Sequence, residues 1–337
     1  MPVSPQPDDA GARDTEARCP VCDAPAPHVH LVREMMFGTR APFRYGECPA
    51  CGLLWLLDVP DDLSPFYPPN YYAFGVAESR RPTGVRGWMR RAKLTHALGH
   101  ATLAGAVLET LRPAPPLTRT LEWMKAAGVG LESRILDVGC GQGKDLCELA
   151  NAGFQNVTGL DPFIAGDIEY SNGVRIRKGA LGDVAGPFDL VMCHHALEHM
   201  DAPLDQMRAM AALLAPAGTL LIRIPLADSL AWERYGTDWV QLDAPRHLFL
   251  HTRKSMAHLE RKAGLREDAV VYDSSGFGFW GSELYRRGMQ LQSPDEALDH
   301  AGRPVLSDDE LAAFERVADD ANRDARGDQA AFYLRRA

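Results

Sequence analysis

No stretch of the 337 residues approaches the roughly 20 consecutive apolar positions of a membrane-spanning helix, so a transmembrane protein is not expected. Positive charge is in deficit: 36 Lys and Arg face 45 Asp and Glu, a net of −9, which argues against general nucleic-acid binding but leaves room for a local basic face. An apolar signal core is also missing. Met1 to Ala17 is polar and proline-bearing, and residues 1–17 read as a disordered lead on a cytoplasmic protein. Cysteine is sparse, and four of the seven stand in two Cys-x-x-Cys pairs, a pattern that suggests metal more than disulfides in such a chain. There is no internal repeat, no carboxylate pair with glycosidase logic and no recognisable nucleophile elbow.

What is present centres on Ile135-Leu-Asp-Val-Gly-Cys-Gly-Gln-Gly-Lys144, a helical run, and then Val157-Thr-Gly-Leu-Asp161. This reads as a buried strand, a glycine-rich turn, a helix and a second strand with an acid at its tip. Such a unit places a nucleoside cofactor at the carboxyl edge of a parallel sheet. Gly139 lets the chain turn after the strand, and Gly141 and Gly143 are expected to keep side chains off the ligand's space. Asp161 can accept both ribose hydroxyls, and Pro162-Phe163 follows where an adenine ring would stack. A dinucleotide needs a glycine turn opening directly onto a helix N-terminus. Here the strand ends in Asp137, two residues before the first glycine.

The string from Ile135 to Lys144 resembles motif I of class I S-adenosylmethionine-dependent methyltransferases, as Phe188-Asp-Leu-Val-Met-Cys193 with His194-His-Ala-Leu-Glu-His199 resembles their strand-four signature. The resemblance covers nearly all the chain from Leu131 onward. It implies an α/β fold, a seven-stranded Rossmann-like sheet over residues 128–337, with an acidic helical insertion at about 290–328. It also implies S-adenosyl-L-methionine as cofactor, held by Asp137, Gly139, Cys140, Gly141, Gly143, Asp161, Pro162, Phe163, Leu181 and His194. Asp243-Ala-Pro-Arg-His247 resembles a loop of small-molecule methyltransferases of sugar and natural-product pathways, which crosses the mouth of the cofactor site. The implied acceptor is a hydroxyl of a sugar or natural-product intermediate, nucleotide-linked sugars included. A methyltransferase acting on RNA through its zinc module, and nitrogen or carbon acceptors, stay open as alternatives.

Cys19-Pro-Val-Cys22 and Cys48-Pro-Ala-Cys51 give four thiolates on two tight turns, the set that Zn²⁺ prefers, with iron the other candidate. Residues 18–60 are therefore read as a zinc knuckle or ribbon that draws folding energy from the metal. Residues 61–127 are read as an aromatic linker and helical lid, with one helix from Trp88 to Leu111. Tyr71, Tyr72, Arg246 and Trp280 are candidates for substrate contact. For a hydroxyl acceptor, histidine is the natural base, and the order of candidates is His247, His199, His195. Asp201 is expected to cap the next helix, and Cys140 to pack beside the cofactor without covalent role.

Overall fold

Strands that alternate between two apolar faces organise the chain. Leu136, Val138, Leu160, Val191, Cys193, Leu220, Ile222 and Phe332 face one buried cluster, while Ile135, Val157, Ile176, Leu190, Met192, Leu221 and Tyr333 face another. A sheet buried on both sides requires helices on both sides, which is the layered α/β arrangement. The computed structural model describes residues 17–25, 27–67, 83–100, 102–111, 116–291 and 305–337. Tyr71 and Tyr72 lie outside them.

The amino-terminal part supplies β1 (His28–Arg33), β2 (Pro42–Glu47) and β3 (Leu54–Leu56), followed by α1 (Gly84–Ala97), α2 (Leu103–Leu111) and α3 (Arg119–Ala126). The single helix expected from Trp88 to Leu111 is two, with Gly99 at φ +94 just beyond the first. The catalytic layers then run β4 (Arg134–Val138), α4 (Lys144–Ala152), β5 (Asn156–Asp161), β6 (Ile168–Glu169), β7 (Arg175–Lys178), β8 (Phe188–His194), α5 (Pro203–Ala212) and β9 (Leu214–Pro225). Next come α6 (Leu230–Tyr235), β10 (Phe249–Leu250), α7 (Arg253–Lys262), β11 (Leu265–Tyr272), α8 (Phe277–Arg286), α9 (Asp308–Arg323) and β12 (Gln329–Arg336).

The larger sheet has the order β11-β12-β9-β8-β4-β5-β7-β6, so eight strands are paired among the described residues where seven were expected. The extra one is β6, two residues antiparallel to β7. The five strands from β9 to β7 run parallel. Strand order reverses between β4 and β8, and the crevice outside their carboxyl ends is where ligands bind in such sheets. Several local signals behave as read: Gly153 ends α4 at φ +127, Thr252 caps α7 through Ser255 N, and Ser307 with Glu310 forms the capping box of α9. Asp201 does not cap α5. The N-cap is Ala202 at φ +46 with no side-chain bond, and Pro203 opens the helix.

The second sheet, β1-β2-β3-β10, joins the two ends of the domain plan. Its fourth strand comes from the segment after Asp243-Ala-Pro-Arg-His247, with Phe249 opposite Trp55. Cys19, Val21, Cys48, Cys51 and Leu53 belong to the same buried cluster as Met207 and Met256. The cysteine module is thus packed onto the catalytic layers and shares a sheet with them. The helix α1 packs at the far end of α4. Arg91 of α1 donates to Gly153 O at 2.9 Å, at the opposite end of α4 from the glycine turn.

Candidate active site

The glycine turn owes its shape to crowding by the protein itself. A Cβ on Gly139 would lie 2.4 Å from the Ala196 Cβ, and one on Gly143 2.4 Å from the Ile176 Cδ1, both at φ +74. For Gly143 this corrects the expectation that the missing side chain clears space for a ligand. Asp161 is buried, and its carboxylate accepts from Gly141 N and Phe163 N, each at 2.8 Å. Those bonds tie the turn to the tip of β5, and each oxygen keeps a second lone pair for a ribose hydroxyl. Tyr170, which sequence reasoning missed, donates to Gln142 O at 2.7 Å and braces the turn from β6's side.

Burial and the neighbouring Asp145 and Asp161 hold the Asp137 carboxyl well above its ordinary range. Burial and Glu148 raise Asp145 as well. A buried acidic crevice suits a ligand that carries positive charge, as a sulfonium amino acid does. Cys140 packs its sulfur against Gly159, where a Cβ would lie 2.5 Å away. Burial, then Asp137 and Asp161, push its thiol up, so it stays protonated. Phe163 is 78% exposed and Pro162 is exposed, so the stacking surface lies open to solvent. Leu181 sits half-buried in a short turn that Asp183 closes by accepting from Ala180 N. His194 stands edge-on to Trp123 with ring centroids 4.4 Å apart, and neither ring nitrogen has a partner among the described residues.

The three candidate bases occupy different surroundings. His247 is 5% exposed, and its Nδ1 bonds Gln241 O at 2.7 Å. Burial, and then the charge of His199, hold it down to about 4. His199 bonds Arg246 O through Nδ1 at 2.8 Å. His195, last in the expected order, has φ +48 and is 30% exposed at its side chain. Its Nδ1 meets Glu198 Oε1 at 3.2 Å and its Nε2 meets Arg223 Nη1 at 2.7 Å. A carboxylate and a guanidinium on opposite edges fix the tautomer: Nδ1 donates to Glu198, and Nε2 holds a lone pair. Burial works to raise the Glu198 carboxyl, but the His195 bond and the nearby imidazoles outweigh it and hold it at about 2.

Arg223 was missed in the sequence although a charge inside the apolar run of β9 is itself a signal. Its Nε donates to Asp273 Oδ2 at 2.6 Å and its guanidinium lies 5.0 Å above the Trp123 ring. Through Trp123, α3 is the helix that reaches the site.

Arg246 is not open to a substrate. It is fully buried, donates to Asp243 Oδ1 at 2.6 Å, Glu34 Oε1 at 3.0 Å and Phe66 O at 3.2 Å, and stacks over Phe37. It holds the loop. Tyr45, also missed, donates to His247 O at 2.7 Å. Trp280 stands half-buried on α8, edge-on to Phe277 at 5.0 Å.

Cys19, Cys22, Cys48 and Cys51 converge, with Cys19 Sγ 3.6 Å from Cys51 Sγ and Cys22 Sγ 3.5 Å from Cys48 Sγ. A tetrahedral ion with sulfur at 2.3 Å has edges of about 3.8 Å, so the cage fits one. Cys22 N faces Cys19 Sγ at 3.5 Å, and Ala50 N and Cys51 N face Cys48 Sγ at 3.4 Å.

A methyltransferase-domain family model matches residues 104–270. The chain is 40% identical over 188 residues to the ubiquinone biosynthesis O-methyltransferase of Xanthomonas campestris pv. campestris (strain B100), covering 51% of this chain and 76% of that protein. It is 34% identical over 170 residues to the enzyme so named in Bordetella avium (strain 197N), covering 44% and 69%. No helix among the described residues is long and apolar enough to cross a membrane.

Proposed function

The chain belongs to the S-adenosylmethionine-dependent methyltransferases and methylates a small molecule, and from that premise we propose that the acceptor is a phenolic hydroxyl whose proton His195 takes. The observation that carries this reading is the Glu198–His195–Arg223 chain at the carboxyl end of β8. S-adenosylmethionine supplies a methyl group already activated by its sulfonium. What the protein adds is alignment and management of one proton. A hydroxyl entering beside His195 meets the Nε2 lone pair, and Glu198 stabilises the imidazolium that forms. Arg223, displaced from Nε2 by the incoming oxygen, offers its charge to the oxyanion. A phenol, with an ordinary value near 10 (about that of tyrosine), gives its proton to an imidazole far more readily than a sugar hydroxyl does. The relatives' names, which specify oxygen methylation in ubiquinone biosynthesis, favour the same acceptor class.

On this reading Asp161 takes the ribose hydroxyls, and the acidic crevice of Asp137 and Asp145 takes the charges of the methionine part. The four-cysteine cage holds Zn²⁺ as a structural ion; its closed set leaves no position for a substrate. The test is transfer of labelled methyl from S-adenosylmethionine into a panel of phenols, sugar nucleotides, amines and RNA. Label in an ether of a phenol, lost in His195→Ala, supports the reading. Label on nitrogen, carbon or a sugar, or unchanged turnover in His195→Ala, overturns it.

A further inference from the structure

Beside the His195 dyad lies a second group of ligand atoms that the proton transfer does not use. His199 Nδ1 is 2.8 Å from Arg246 O and His247 Nδ1 is 2.7 Å from Gln241 O. A carbonyl oxygen only accepts, so both Nδ1 atoms carry the ring proton and both Nε2 atoms carry a lone pair. The two rings face each other edge to face with centroids 4.7 Å apart. The third member is Glu198, fully buried, whose Oε1 meets His195 while Oε2 has no hydrogen-bond partner among the described residues. Ligand atoms of Glu198, His199 and His247 lie within 4.8 Å of one another.

Among the described residues no donor bonds the two imidazole lone pairs or the free carboxylate oxygen, so the three repel one another in a largely buried place. A cation removes that conflict. Arg246 in the same loop is already taken by Asp243 and Glu34, and Arg223 by Asp273 and His195. The carboxylate of Asp243, 4.0 Å from His247 Nε2, adds to the negative potential rather than relieving it.

We propose that Glu198, His199 and His247 bind a divalent transition-metal ion through Oε2 and the two Nε2 atoms, separate from the four-cysteine cage. Two imidazoles with one carboxylate suit Zn²⁺, Fe²⁺ or Co²⁺ better than Mg²⁺ or Ca²⁺, which prefer oxygen throughout. Three protein ligands leave a coordination position open, as in sites that take an oxygen ligand from water or substrate. The backbone carbonyls of Gln241 and Arg246 act as the outer partners that orient the two rings.

The experiment is a Co²⁺ titration of the full chain with Zn²⁺ already in the cysteine cage, followed by calorimetry and visible absorption. One further equivalent should bind, with ligand-field bands and without sulfur-to-cobalt charge transfer. His199→Gln and His247→Gln should each weaken that equivalent by about 100-fold or more, at least as much as losing an orienting partner does. Because wild-type protein alone gives the spectrum, a misfolded variant does not decide the matter. No second equivalent in wild type, or one carrying sulfur charge transfer, overturns the proposal, as do folded His199→Gln and His247→Gln proteins that still bind it. None of these readouts uses methyl transfer, so the metal site and the phenol reading stand or fall separately.

Discussion

The glycine turn and the histidine loop lie beside one another but are built in opposite ways. The turn is held from within the α/β layers: Asp161 accepts from Gly141 N, Gly139 N donates to Leu160 O at 2.8 Å, and Tyr170 donates to Gln142 O at 2.7 Å. No residue of the amino-terminal module takes part in these bonds. The loop from Asp243 to Leu248 is held from far away, by Glu34 on Arg246, Tyr45 on the His247 carbonyl, Leu248 N on Glu198 O, and β3 against β10. Apart from Glu198 and His199, which bonds Arg246 O at 2.8 Å, these ties come from the amino-terminal part. The comparison teaches that the cofactor side rests on the α/β layers alone, whereas the loop that carries His247 leans on the amino-terminal module.

With Zn²⁺ in the cysteine cage as proposed, the sharpest way to break the comparison is to remove it, by chelation or by Cys48→Ser. Structural zinc contributes on the order of 10 kcal/mol to modules of this kind. Amide exchange should rise across residues 28–56 and 243–250, while 135–161 stays protected and the demethylated cofactor still binds within a few-fold. Equal loss of protection in both regions would refute the distinction. A smaller cut is Arg246→Met, which strands Glu34 and the Asp243 carboxylate in the interior at about 3–5 kcal/mol. Urea unfolding measures it, and Arg246→Lys should fail to restore it because an ammonium cannot serve three acceptors in one plane. A loss under about 1 kcal/mol would mean that the loop holds without its buried ion pairs.

The same contrast explains what could be read from the sequence. Asp137, the glycines and Asp161 lie in one short string, each residue fixed by its neighbours, so their types and spacing carry the site. The acceptor side joins positions 34, 45, 199, 223 and 246 through tertiary packing that periodicity does not report. The resemblance of its loop to one that crosses the cofactor mouth points Arg246 at substrate, and the distant Glu34, with Asp243 turned inward beside it, reverses that. Arg223 left a trace, a charge inside the run from Thr219 to Ile224, and Tyr45 left none. The helix break near Gly99 was also legible in principle, whereas the α1 position at the far end of α4 was not.

Within the active site the comparison sharpens to individual residues. His195→Ala should lower turnover by about 10²- to 10⁴-fold with binding of the demethylated cofactor unchanged. His195→Gln, which keeps a hydrogen bond to Glu198 but cannot take a proton, should not rescue it. Asp161→Asn should act on the other side alone, weakening the cofactor by about 10-fold to 100-fold in calorimetry as acceptor bonds to ribose are lost. An unchanged affinity would put the ribose elsewhere.

The smallest effect tests the joint between the two regions, at Thr252. Its hydroxyl accepts from Ser255 N at 3.0 Å as the cap of α7 and donates to Cys51 O at 2.5 Å. A cap alone is worth about 1 kcal/mol, and the bond to the cysteine turn adds about 0.5–1.5 kcal/mol. Thr252→Ala should therefore cost about 2 kcal/mol in the metal-loaded protein and only the cap's share once chelation has released Cys51. Thr252→Ser keeps both bonds and should cost less in either state. If Thr252→Ala costs the same with and without metal, the cysteine turn and α7 are not energetically joined, and the acceptor loop must draw its order from its own side of the molecule.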